Sequence, residues 1–200
     1  MLCSVNETVT DEVNLIMSEM ATNLSRITLG GGCFWCTEAV FERVKGVHRV
    51  EPGYCNGHLH EPTYEQICTG NTGHAEVVRI DFDASEISLS ELLQVFFVIH
   101  DPTSLNRQGA DVGTQYRSGI YTHGGEQEQE QVARAVLAEA QLAHRGQVVT
   151  ELLPELNYWP AESYHQRYFA RNPEQGYCAF VVAAKVDKFL ATFARLVRPA

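Results

Sequence analysis

Three consecutive glycines, Gly30-Gly31-Gly32, run directly into Cys33-Phe34-Trp35-Cys36-Thr37-Glu38. A strand-like run, Arg26 to Leu29, precedes them and a helix-like run, Ala39 to Val44, follows, so the backbone must turn from strand to helix within a few residues. Cys33 therefore stands where a helix begins. The unpaired N–H groups of a first helical turn and its positive dipole end favour a thiolate, the form of sulfur that attacks. Phe34 and Trp35 place an apolar wall beside it, and the group points to nucleophilic attack by sulfur on something small and apolar.

The rest of the chain alternates strand and helix signals. Val47 to Tyr54 reads as a strand, Tyr64 to Cys68 as a short helical turn, and Glu76 to Phe82 as a second strand with Val78, Ile80 and Phe82 on one face. Ser88-Leu89-Ser90-Glu91 has capping-box spacing, and Leu92, Leu93, Phe96, Phe97 and Ile99 continue it as a helix that Asp101-Pro102 ends. Thr103 to Gln115 lacks periodicity and reads as a site loop, followed by a strand over Tyr116 to Tyr121. A helix over Glu126 to His144, a strand over Val148 to Leu153, a helix from Trp159 through Phe169 and a last helix over Val186 to Leu196 complete the pattern. The expected fold is α+β, a two-layer α/β sandwich around a mixed sheet, with a ferredoxin-like core and extra helices. Residues 1–24 read as an N-terminal appendage and 25–200 as a single catalytic domain.

With 200 residues and 44% hydrophobic content, the chain can bury one good core and is too short for two large ones. Fifteen Lys and Arg against 25 Asp and Glu give a net charge of −10, which argues against a nucleic-acid partner. No apolar stretch approaches the ~18 residues of a membrane span, and residues 1–25 lack the basic and apolar regions of an export signal. The expectation is a cytoplasmic monomer whose six cysteines are reduced or redox-active rather than a disulfide framework. Cys3, in the polar N-terminal segment, receives no role.

Cys33-x-x-Cys36 puts two thiols on one face of a helix start within bridging reach, which suits a redox dithiol. The same pair is half of a zinc site, although Cys55 and Cys68 are separated by twelve residues and His58 and His60 lie in a loop. Two packed, inert thiols are the third reading. Glu76, in Gly73-His74-Ala75-Glu76-Val77-Val78, heads an apolar strand: facing an apolar pocket it would be a proton donor at neutral pH, and facing water an ordinary edge charge. Tyr64 and Tyr116 lie near loops, where a hydroxyl can donate to an oxygen or simply be satisfied in a core. Asp111 sits in a glycine-flanked loop. Cys178 ends the turn-rich Asn172-Pro173-Glu174-Gln175-Gly176-Tyr177-Cys178, either free to move toward another sulfur or opening the apolar run Tyr177 to Val182.

Taken in order, Gly32-Cys33-Phe34-Trp35, Pro62-Thr63-Tyr64-Glu65, Thr72-Gly73-His74-Ala75-Glu76, His100-Asp101-Pro102-Thr103 and Gln115-Tyr116-Arg117-Ser118 resemble the A-type peptide-methionine sulfoxide reductases. The resemblance runs from about Arg26 to the Gly176-Tyr177-Cys178 turn. It implies that Cys33 is the nucleophile, that Phe34 and Trp35 hold the substrate's S-methyl group, and that Glu76 donates the proton. It further implies that Tyr64 and Tyr116 bind the sulfoxide oxygen, that Asp111 organises the same pocket, and that Cys178 resolves. The substrate would be the S epimer of methionine sulfoxide, free or in proteins. The cycle would pass through a Cys33 sulfenic acid and a disulfide reduced by thioredoxin or a similar dithiol, with no metal and no organic cofactor. Many members carry Gly in place of Cys36 and Gly-Gly in place of Asn56-Gly57, so Cys36 and Cys178 both stand as candidate resolving thiols. A thioredoxin-like oxidoreductase, a zinc-stabilised binding module and a cysteine hydrolase are the competing classes.

Overall fold

The computed structural model describes residues 24–123 and 127–199. The appendage expected at residues 1–24 and the reading of Cys3 fall outside them, except that Leu24 already opens the first strand. That strand, β1 (Leu24–Gly31), is followed by α1 (Phe34–Phe41), β2 (Val47–Cys55), α2 (Tyr64–Cys68), β3 (Ala75–Asp83) and α3 (Leu89–Ile99). A two-residue hairpin, β4 (Arg107–Gln108) and β5 (Asp111–Val112), leads to β6 (Ser118–Thr122), α4 (Gln127–Ala143), β7 (Glu151–Pro154), β8 (Trp159–Pro160), α5 (Tyr168–Arg171) and α6 (Ala183–Thr192). The capping box at Ser88 is formed: its hydroxyl accepts from Glu91 N and the Glu91 carboxylate accepts from Ser88 N.

The main sheet runs β7-β6-β1-β3-β2-β8. Its central strands, β6-β1-β3-β2, are antiparallel throughout, with α1 joining β1 to β2 and α3 lying between β3 and β6, which is the ferredoxin-like βαββαβ order. β7 adds parallel to β6 at one edge and β8 antiparallel to β2 at the other, so the sheet is mixed, as expected. Strand alternation assigns the two faces. Ile27, Leu29, Tyr54, Val78, Ile80 and Ile120 join Phe34, Phe41, Leu92, Phe96 and Phe189 in one buried cluster under the helices. Each such aliphatic or aromatic side chain contributes on the order of 1.5–3 kcal/mol by leaving water. Cys55, Ala75, Val77 and Tyr121 face the other way, partly covered by Tyr158. On that second face Arg26 pairs with Asp81, Arg79 and His123 with Glu155, and Arg117 with Glu151.

The first helix begins at Phe34, immediately after Cys33, where the glycine turn was expected to start it. Two elements differ from expectation. Trp159 and Pro160 form an edge strand and not a helix start: Tyr54 pairs with Trp159, Gly53 with Pro160, and Ala161 N donates to Pro52 O at 2.9 Å. A proline lacks the N–H that both a helix's first turn and a sheet edge can spare, so the tertiary pairing decides. The last helix starts far earlier than Val186, with a π turn over Cys178–Val182 that runs into α6, and Leu196 belongs to a separate 3₁₀ turn. Cys178, Val182, Val186 and Phe189 recur on its buried face at helical spacing.

Candidate active site

The glycine turn lets three segments meet at Cys33. Gly32 has φ +89°, and a Cβ there would come within 2.5 Å of the Gln108 side chain. Gln108 in turn accepts from Asp101 N at 2.9 Å and donates to Asp101 O at 3.1 Å, fastening the 103–115 loop against the turn. Cys33 occupies the N-cap of α1 and is 9% exposed. β3 brings Glu76 opposite Tyr54 on the helix-covered face, where one carboxyl oxygen, Oε2, accepts from Phe34 N at 3.2 Å. The other, Oε1, is buried without a partner among the described residues. Burial, outweighing the Phe34 N–H, pushes the Glu76 carboxyl up to about 8. At neutral pH it is an acid with a proton to give.

The thiols correct one expectation. A helix start was expected to stabilise a Cys33 thiolate, yet burial, followed by the hydrogen bond to Cys36 and the nearby Glu76, holds the Cys33 thiol well above its ordinary range, and the Trp35 N–H does not compensate. Cys36 is lowered to about 7, chiefly by the hydrogen bond from Cys33. The Cys36 sulfur lies 3.9 Å from the Tyr177 hydroxyl. Of the two readings open for Cys178 the structure has the second: the residue is fully buried at the head of the π turn that opens the apolar run Tyr177 to Val182. Its thiol is raised first by burial and then by the charge of Cys36.

Aromatic rings complete the pocket. Trp35 stacks on Tyr168 with centroids 3.8 Å apart and 7° between planes, meets Tyr177 edge-on at 6.0 Å, and donates from Nε1 to His165 Nδ1 at 3.1 Å. His165 also meets Phe34 at 5.0 Å and Tyr64 at 4.4 Å. Phe34 is 1% exposed and packs on Tyr54, so it forms the base beneath the half-buried Trp35. The Tyr64 and Tyr116 hydroxyls are both driven above the usual phenol range, first by burial and next by the field of Glu76. Asp111 Oδ2 accepts from the Tyr177 hydroxyl at 2.6 Å. Cys33, Cys36, Trp35, Tyr64, Glu76, Asp111 and Tyr116 thus converge.

Sequence reasoning missed His165, Tyr168, Tyr177, Glu38 and Glu162. Glu38 is buried and its carboxylate accepts from the backbone of Arg167 and Tyr168, while Glu162 accepts from the Tyr54 hydroxyl and from Tyr64 N, each at 2.8 Å. The one signal for them was the density of aromatic residues between Tyr158 and Tyr168. The zinc reading loses its remaining ligands: Cys55 lies on the opposite face of the sheet, and among the described residues the only three-residue set of possible metal donors is His48, Asp83 and Glu86.

A model of the family described as peptide methionine sulfoxide reductase matches residues 25–196. The chain belongs to the peptide methionine sulfoxide reductases. A relative from Polynucleobacter asymbioticus, named peptide methionine sulfoxide reductase MsrA, is 50% identical over 189 residues, covering 94% of this chain and 98% of the relative. One of the same name from Saccharolobus solfataricus is 54% identical over 166 residues, 83% of this chain and 93% of its own. Methionine sulfoxide reductase A of Corynebacterium diphtheriae superposes with a TM-score of 0.72 at 38% identity, covering 79% of each chain. Mxr1 from Saccharomyces cerevisiae, solved in complex with Trx2, gives 0.50 at 26% identity over 74% of this chain and 86% of its own. As a member of this family the chain has peptide-methionine (S)-S-oxide reductase activity. Among the described residues, no helix of this reductase is long and apolar enough to cross a membrane.

Proposed function

We propose that this reductase works through Cys33 as nucleophile and Glu76 as general acid, with Cys36 and Cys178 relaying the oxidation outward. The observation that carries the reading is the buried, unpartnered Oε1 of a carboxyl raised to about 8 beside the Cys33 thiol. Trp35, backed by Tyr168 and His165, receives the S-methyl group, with Phe34 beneath it. The hydroxyls of Tyr64 and Tyr116 donate to the sulfoxide oxygen, and Asp111 holds Tyr177 at the pocket's side. Cys33 sulfur attacks the sulfoxide sulfur as Glu76 gives its proton to the oxygen and takes up the thiol proton of Cys33; the hydroxyl then passes to Cys33 as a sulfenic acid and the thioether leaves as methionine.

The neighbouring Cys36 thiol then attacks the sulfenic sulfur, releasing water and forming a Cys33–Cys36 disulfide. Attack of the Cys178 thiolate on Cys36 frees Cys33 and moves the bridge to Cys36–Cys178, and an external dithiol reduces that bridge. The yeast relative solved with Trx2 supports a thioredoxin as the dithiol. No step calls for a metal or organic cofactor.

The test is methionine release from separated S and R sulfoxide epimers of a blocked methionine, with dithiothreitol, by the wild type and Cys33→Ser. S-selective turnover abolished in the variant is the expected result. Turnover of neither epimer by folded, reduced wild type would overturn the reading.

A further inference from the structure

On a chain of net charge −10, one cleft is basic. It has a volume of about 580 Å³ and is lined by Arg43, Arg49, Arg167 and Arg198 with His48, against the single carboxylate of Glu42. The cleft is built from segments far apart in sequence. Arg198 N donates to Arg43 O at 2.8 Å, and Lys45 N donates to Leu196 O at 2.8 Å, which pins the C-terminal stretch beside the end of α1 and brings two guanidiniums to one place. Arg49 is paired with Glu51 and Arg167 with Glu42. Arg43 and Arg198 have no ion pair among the described residues. Arg43 donates to Ala39 O at 2.6 Å and lies over the Phe169 ring at 5.4 Å, while Arg198 donates to Val47 O.

Each guanidinium carries five N–H donors, and those protein contacts leave most of them unused. Two unpaired like charges held close by backbone anchors repel one another unless an anion lies between them. A planar fork matches phosphate oxygens two at a time, and the cleft's volume falls within the range of small-molecule sites. A long polyanion would be repelled by the acidic surface, whereas a compact one lies within the field of Arg43 and Arg198, the two arginines without a carboxylate partner among the described residues. We propose that this cleft is a binding site for a small multivalent oxyanion of the phosphate class, held chiefly by Arg43 and Arg198 and flanked by Arg49 and Arg167. The site is separate from the sulfoxide pocket, although Arg167 immediately precedes Tyr168, the ring stacked on Trp35.

The test titrates the full, reduced chain with inorganic pyrophosphate by calorimetry and thermal unfolding, against sodium chloride at matched ionic strength. The wild type is compared with Arg43→Gln/Arg198→Gln and Arg43→Lys/Arg198→Lys, and methionine sulfoxide turnover with dithiothreitol reports that each variant is folded. Saturable binding by the wild type, weakened about tenfold or more in the Gln pair and less in the Lys pair, is expected. At pyrophosphate near a hundred times Kd, the wild-type Tm should rise by about 5 °C. Absence of saturable heat, equal affinity in wild type and the Lys pair, or equal stabilisation by both salts would overturn the proposal. So would a Gln or Lys pair that leaves pyrophosphate unbound by any protein but raises KM for sulfoxide peptides with acidic flanks, because the cleft would then read the substrate chain.

Discussion

Glu76 joins two properties that usually exclude each other: it is fully buried, and one of its oxygens has no partner among the described residues. A side chain so placed is costly to ionise, which keeps it protonated for donation. Glu76→Gln should therefore lower kcat by about 10² to 10⁴-fold while the variant still folds. The wild-type rate should fall as pH rises through about 8, where the carboxyl loses its proton, and that limb should vanish from the residual activity of the variant. Rates of the two proteins that match at pH 7 would assign the proton to a tyrosine or water. At this scale the local pattern made Cys33 legible as a thiol at a glycine turn into a helix, and left Glu76, Tyr64 and Tyr116 open between pocket and ordinary roles. Their assignment, with that of Asp111, came only from the resemblance to the family. Glu38 and His165 were not legible, since Glu38 holds the backbone of Arg167 and Tyr168 and His165 accepts from Trp35, partners roughly two-thirds of the chain away that no local pattern encodes.

Two elements carry the three sulfurs. Cys33 caps helix α1 and Cys36 lies in its first turn, while Cys178 heads the π turn ahead of α6. Cys36→Ser should retain one equivalent of methionine release in single turnover and lose at least about tenfold in thioredoxin-coupled turnover, because the sulfenic acid loses its neighbouring thiol. Cys178→Ser should accumulate a Cys33–Cys36 bridge, detectable by peptide mass mapping. Unimpaired thioredoxin-coupled turnover in both variants would sink the relay. The single-turn α5 has a different task, since it presents Tyr168 to Trp35. Tyr168→Leu should raise KM about fivefold, the equivalent of the roughly 1 kcal/mol carried by a stacked aromatic pair, and leave kcat less affected. The segment holding α5 was also the part of the fold least legible in sequence. Trp159-Pro160-Ala161-Glu162 satisfies the local rules for a helix start, and its pairing with β2 depends on Gly53 and Tyr54 more than a hundred positions earlier. The capped helix α3 and the alternating strand β3, whose signals are wholly local, needed no such information.

For the molecule as a whole, the two faces of the sheet respond to acid and base in opposite senses. On the outer face burial would raise Glu155, but hydrogen bonds from His123, Arg79 and Thr28 outweigh it and hold the carboxyl down to about 2. A depressed carboxylate contributes stability above its unfolded value of about 4.3, on the order of 3 kcal/mol here, and that contribution is lost as pH falls from about 4 toward 2. Under the helices the sign reverses. Glu76 at about 8 and Glu38 at about 7, both raised by burial, favour the folded state while protonated and withdraw that stability as pH climbs from about 4.5. Buried His100, held down to about 4 by burial, works the other way, adding stability as pH rises from about 4 to its unfolded value of about 6.5. Above about 6.5 that opposition ends, so Tm should fall between pH 6.5 and 8 and Glu76→Gln should flatten the fall; a Tm still climbing there would contradict this assignment. The buried position of Cys178 has a kinetic consequence of its own. Under the proposed relay, a protein-sized reductant cannot touch a sulfur buried as Cys178 is in the free-thiol state, so the oxidised enzyme would first have to unlatch the π turn. Regeneration by thioredoxin should then reach a ceiling that more thioredoxin does not lift, a repair cycle timed by the breathing of one helical turn.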